Sequence, residues 1–152
     1  MTPTARLREL GIELPKVATP AGAYVAARRS GNLVFTAGQV PVVDGALAAT
    51  GKVGAEVDVD TARDLARTCA LNALAAVDSL VGIDAVTGVV KVVGFVASAP
   101  GFTAQPAVVN GASELFGEVF GEAGAHARSA VGVAELPMNA PVEVEIVVEV
   151  AG

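Results

Sequence analysis

The sequence holds almost none of the side chains from which metal centres and nucleophilic dyads are built. A single cysteine, Cys69, excludes an internal disulfide and is compatible with a reducing compartment. With one histidine, His126, beside it, the four Cys/His ligands of a structural zinc site cannot be assembled. No HExxH pair, Walker loop, dinucleotide-binding glycine fingerprint or GxSxG elbow is present. Neither a metal nor a cofactor is therefore expected. Cys69 falls on the apolar stripe of a predicted helix and reads as core, and His126 falls in a Gly/Ala-rich turn and reads as surface.

Charge is scarce too. Charged residues make up 17% of the 152 residues and apolar ones 53%. So few charges cannot cover the surface of a small domain, which points to an apolar face meeting another chain. The net charge is −6, and Arg28-Arg29 is the only adjacent basic pair. Without a cationic stripe to displace phosphate counterions, nucleic acid and anionic lipid are not expected partners. The first ten residues have no apolar stretch fit for a signal peptide. The longest uncharged run, 92–113, is interrupted by Gly94, Pro100, Gly101 and Pro106, so it reads as strand, turn and helix start. A soluble, cytoplasmic protein is expected.

No repeat or linker divides the chain, and residues 1–152 read as one domain. A short helix is predicted over 4–10. Tyr24 to Arg29 and Leu33 to Thr36 flank Ser30-Gly31-Asn32 and read as a hairpin. Residues 40–52 read as loop with one short strand. Apolar residues at Ala62, Leu65, Ala66, Cys69, Ala73, Val77 and Leu80 define a helix that Asp58 or Asp60 caps and Gly82 ends. Val86 to Ser98, rich in valine, reads as a long buried strand. Gln105 to Phe120 reads as a second helix with Pro106 in its first turn. Arg128 to Glu135 and the cleanly alternating Val142 to Val150 are the last strands. The order is that of an α+β fold: a mixed sheet with two helices on one face and the other face left for a neighbouring subunit.

Arginine, carboxylates, tyrosine and amides remain as chemistry. Alternation places Arg128, Ala130, Gly132 and Ala134 on one face of their strand, a long cation beside almost bare backbone. Such an arginine can hold a carboxylate through two parallel hydrogen bonds. The same pattern also fits close packing, with Arg128 merely paired to an acid. Glu143, Glu145 and Glu149 line one face of the final strand, a solvated face by default, with Glu143 nearest the turn. If the last two strands form a hairpin centred near Met138, Glu143 stands about 20 Å from Arg128. A site using both would then lie between subunits.

Arg128-Ser-Ala-Val-Gly-Val-Ala-Glu-Leu-Pro137 followed by Val142-Glu-Val-Glu145 resembles the C-terminal signature of the RidA/YjgF family. Gly31-Asn-Leu-Val-Phe-Thr-Ala-Gly-Gln-Val-Pro41 resembles a second hallmark of that family, and Val109-Asn110 a third. The resemblance spans about residues 17–150, and the added N-terminal residues and the 99–106 segment are similar to a longer subgroup. It implies a chorismate-mutase-like fold, a homotrimer and clefts between subunits, where reactive 2-enamine or 2-imine acids are hydrolysed to 2-keto acids and ammonia. By the same resemblance Arg128 holds the substrate carboxylate, Glu143 positions or activates water, and Tyr24, Asn110 and Ala130 line the cleft. Ala130 departs from the cysteine common at its position, which enlarges the pocket. Two other functions fit the same residues: a trimer that binds a keto or amino acid without turnover, and, against the acidic charge, an endoribonuclease.

Overall fold

A computed structural model describes residues 1–152. The chain forms α1 (Pro3–Glu9), β1 (Ala27–Ser30), β2 (Leu33–Thr36), β3 (Val42–Val43), β4 (Ala46–Leu47), α2 (Val59–Val81), β5 (Val86–Ala97), α3 (Gln105–Phe120), β6 (Ala127–Val133) and β7 (Val142–Val150). Strands β1, β2, β7, β5 and β6 lie in that order in one mixed sheet, and β3 and β4 form a separate two-stranded ribbon. The predicted α+β class holds. No helix is long and apolar enough to cross a membrane.

Local chemistry explains the main elements. The Asp58 carboxylate accepts a hydrogen bond from the Thr61 N–H at 2.7 Å and caps α2. The predicted stripe of α2 is buried through Ala62, Leu65, Ala66, Cys69, Ala73 and Val77, while Leu80, its last member, is exposed. Val142, Val144, Ile146, Val148 and Val150 of β7 are all buried beneath the helices, as alternation requires. Helices α2 and α3 meet closely at Gly111, where an added Cβ would stand 2.9 Å from the Arg63 carbonyl carbon.

Three expectations need correction. The 24–36 hairpin exists, but its first strand begins at Ala27, and Tyr24 lies outside it. Residues 40–52 hold two short strands rather than one, joined by Asp44-Gly45, whose positive φ values of 52° and 82° suit the tight turn of a hairpin. The third correction matters most for function. Strands β6 and β7 are not a hairpin, because β5 lies between them, parallel to β6 and antiparallel to β7. A helix joins β5 to β6, and that crossover makes them parallel neighbours. β7 then takes the other side of β5.

Candidate functional site

The register fixes which way each predicted site residue points. Arg128 is opposite Val92, which is opposite Ile146, and both valine and isoleucine are buried beneath the helices. Arg128, Ala130 and Gly132 therefore share the helix side of the sheet, beside α3. Glu143 is opposite Phe95, itself opposite Val131, so its row lies on the other side. Two strand spacings and three residues along the strand separate Arg128 from Glu143, about 14 Å between α-carbons. That replaces the 20 Å expected of a hairpin, and the two side chains leave opposite faces of one sheet.

The guanidinium of Arg128 is held by neutral groups alone. NH1 donates to Asn110 Oδ1 at 2.8 Å and to Ser113 Oγ at 3.1 Å, so both of its hydrogens are engaged. NH2 donates to the Pro106 carbonyl at a long 3.4 Å. Nε donates to nothing in the protein, and Arg128 is absent from all four ion pairs of the chain. Within one chain Arg128 is therefore paired to no acid, while the small residues beside it are closely packed, Ala130 on the core and Gly132 on Gln105. With Nε unengaged and NH2 in only one long contact, the Nε–NH2 edge is the part of the guanidinium with donors to spare for a carboxylate.

Asn110 is thus brought to Arg128, as expected. Ala130 lies beside it on β6 and packs against the core. Beyond Ala130 the missing side chain of Gly132 makes room for Gln105, whose Nε2 would be 2.8 Å from an added Cβ. Ser113 was not expected. It sits one helical turn after Asn110, and i, i+3 spacing puts both on the face of α3 that meets β6. His126 is the other correction. It is half-buried rather than a surface residue, with Nε2 2.9 Å from Ser113 Oγ, Nδ1 2.6 Å from the Gly124 carbonyl and its ring edge-on to Phe116 at 5.9 Å.

Glu143 is half-buried and makes neither a hydrogen bond nor an ion pair. Burial first, and then the charge of Glu145, push its carboxyl above the usual carboxylate range. Its position depends on Gly38. The Gln39 and Val144 backbones exchange two hydrogen bonds of 2.8 and 3.0 Å, which draw Gly38 against the Glu143 side chain. A Cβ at Gly38 would stand 2.8 Å from Glu143 Cδ and overlap Oε2 outright. Tyr24 is 51% exposed, its hydroxyl accepting from the Ala21 N–H at 3.2 Å. It precedes β1 at the far edge of the sheet, four strand spacings or about 19 Å from β6. Tyr24 and Glu143 therefore do not join the Arg128 cluster within one chain. The thiol of Cys69 is fully buried and pushed well up by that burial, and then by Glu143, which fits its reading as core.

No three His, Cys, Asp or Glu side chains converge as a metal cage. Two hollows of the single chain flank α1 and include none of the residues named above. Arg128 is partly exposed between α3 and the edge strand β6. The guanidinium and the carboxylate are thus two separate polar centres on opposite faces of one mixed sheet.

Comparison with known proteins gives the family. The endoribonuclease L-PSP family model matches residues 15–150, and the chain belongs to that family, which the RidA/YjgF signature residues had indicated. It is 46% identical over 147 residues to protein TCP17 of Trypanosoma cruzi, covering 95% of this chain and 92% of that one. The crystal structure of Atu1372 from Agrobacterium tumefaciens, of unknown function, is similar at a TM-score of 0.89 and 45% identity, over 99% and 94% of the two chains. The YjgF product of Escherichia coli is similar at 0.65 and 30%, over 90% and 93%. TdcF of E. coli, solved with bound serine, is similar at 0.66 and 28%, over 91% and 94%.

Proposed function

We propose that the chain is a homotrimeric enamine/imine deaminase whose cleft joins Arg128 of one subunit to Glu143 and Tyr24 of its neighbour. The single observation that carries the reading is the guanidinium of Arg128, held by neutral oxygens and left without a carboxylate partner. Its Nε–NH2 edge accepts the carboxylate of a 2-imino acid. The imine carbon is already electrophilic, so orientation and one general base suffice. Glu143, with its raised proton affinity, takes a proton from water as the oxygen adds to C2. Glu143 returns that proton to the nitrogen, the new hydroxyl gives up the second as the C=O bond forms, the C–N bond breaks, and a 2-keto acid and ammonia leave. No metal or cofactor has a part in this sequence. Ala130, in place of a cysteine, widens the cleft beside the bound carboxylate.

Trimer formation is supported by the sheet face away from the helices, where Phe35, Val90 and Val131 are each more than two-fifths exposed. A second reading is favoured by the serine bound to TdcF: the cleft holds a small amino or keto acid without turning it over. The endoribonuclease reading has the family description behind it. Against it stand the net charge of −6 and a sole histidine whose two nitrogens are both occupied inside the protein.

Three measurements separate these readings. Imines are generated in situ by an amino-acid oxidase, and keto-acid formation is followed with the wild-type protein and Arg128→Ala. The deaminase reading expects acceleration by the wild type and a loss of about 100-fold or more in kcat/KM for the variant, the scale of a lost charged pair. Equal rates from the two proteins would end it. Binding of 2-oxobutyrate with no acceleration would favour the carrier, and RNA cleavage abolished by a point substitution would favour the nuclease.

A further inference from the structure

Resting on the deaminase reading, we infer that His126 and Ser113 are positioning residues that fix which edge of Arg128 receives the substrate carboxylate. The hydrogen-bond directions follow from the chemistry of the groups. The Gly124 carbonyl only accepts, so His126 Nδ1 carries a proton and donates to it at 2.6 Å. In the neutral ring Nε2 is then an acceptor, and the hydroxyl of Ser113 donates to it at 2.9 Å. With its hydrogen committed, Ser113 Oγ turns a lone pair to Arg128 NH1, 3.1 Å away. Asn110 Oδ1 takes the second NH1 hydrogen.

The consequence is directional. A guanidinium has two edges able to grip a carboxylate, the NH1–NH2 end and the Nε–NH2 side. Saturating NH1 closes the end-on edge, and the side-on edge alone remains. Ligands gripped there have a planar carboxylate whose plane continues that of the guanidinium, which sets the position of C2 relative to the water. His126 is itself fixed by the edge-on contact with Phe116 and by the turn at Gly124, so the brace is anchored in the core and not in solvent. Ser113 has the hydrogen-bonded histidine of a nucleophile, yet its free lone pair points at a cation. That arrangement suits a support and not an attacking oxygen.

The test uses the full-length protein and four variants: His126→Phe, His126→Gln, Ser113→Ala and Arg128→Ala. Phenylalanine keeps the ring and its contact with Phe116 while removing both nitrogens. A glutamine amide oxygen can take over from Nε2. His126→Phe is expected to raise KM, and the Kd for 2-oxobutyrate, about tenfold, with kcat changed less than about threefold. Ser113→Ala should do the same, and His126→Gln should recover most of the loss. Long-range ¹⁵N–¹H NMR of the imidazole should find the proton on Nδ1. An unchanged KM in His126→Phe, or a glutamine variant no better than phenylalanine, would overturn the inference. So would a collapse of kcat at constant KM in Ser113→Ala, which would make Ser113 a reacting group. Failure of the deaminase reading is distinguishable, because it appears as an Arg128→Ala protein as active as wild type, whatever tautomer His126 adopts.

Discussion

Alanine in place of Gly38 should disarm Glu143 without unfolding the protein. The backbone at residue 38 is outside the left-handed region, so alanine adopts it without strain. Its methyl group would enter the space of the Glu143 carboxylate, 2.8 Å from Cδ and 3.2 Å from Cγ. Ordinary carbon–carbon contact is about 3.5 Å or more, so the carboxylate must retreat by about 0.7–1 Å. A misplacement of that size costs up to about 100-fold in rate when the group must meet a positioned water. Only the end of a flexible side chain moves, and alanine restricts the unfolded chain by about 0.4–1 kcal/mol relative to glycine. The melting temperature should therefore hardly change. Initial rates of keto-acid formation from in situ imines, with a thermal melt beside them, measure both effects. In a double-mutant cycle with Glu143→Gln, the second substitution should cost little once the first is present, since both act on one carboxylate. A Gly38→Ala protein as fast as wild type would refute the reasoning, as would losses that simply multiply.

Other consequences can be checked alongside. Glu143→Gln should abolish most turnover and yet raise stability at pH 8. Burial and Glu145 raise the proton affinity of Glu143 in the folded state, so its ionised form opposes folding above the raised pKa. The melting-temperature gain of the glutamine variant should vanish as pH falls below the unfolded carboxylate's range, and a gain independent of pH would contradict this. Asn72→Leu should destabilise by about 2–3 kcal/mol in urea unfolding. Its buried amide donates at 3.1 Å to both the Val40 and Val42 carbonyls, which the substitution strands. Gly111→Ala should lower stability by about 1–3 kcal/mol through overpacking, because its methyl would press on the Arg63 backbone and part α2 from α3.

Much of this architecture was legible in residue patterns. The alternation of 142–150 and the stripe of 62–77 are periodicities set directly by burial, and both hold in the structure. The face shared by Arg128, Ala130 and Gly132 was legible for the same reason. What misled was connection length. The short Leu136–Pro141 link invites a hairpin, yet Met138 and Asn139 turn the chain through left-handed conformations (φ 59° and 57°) and carry it past β5. The corrective signal was present, since the helix between β5 and β6 is the kind of crossover that parallel neighbours require. Ser113 and His126 were harder to find. Neither has a periodic signature, and a histidine in a Gly/Ala-rich turn shows its burial only once Phe116 and Ser113 are placed around it. Glu143's dependence on Gly38 is a long-range contact that no local pattern encodes.

The arginine cluster is stitched from one contiguous stretch, α3 through β6, with Arg128 only 18 residues from Asn110 and 15 from Ser113. The acidic portion depends on distant parts of the chain meeting, Gly38 from just after the first hairpin and Glu143 from the last strand. Peeling the first hairpin from β7 would scatter the carboxylate's surroundings and leave the guanidinium clasp standing. Amide exchange at partial opening should therefore separate the two, with the surroundings of Glu143 loosening first and the contacts of Arg128 outlasting them.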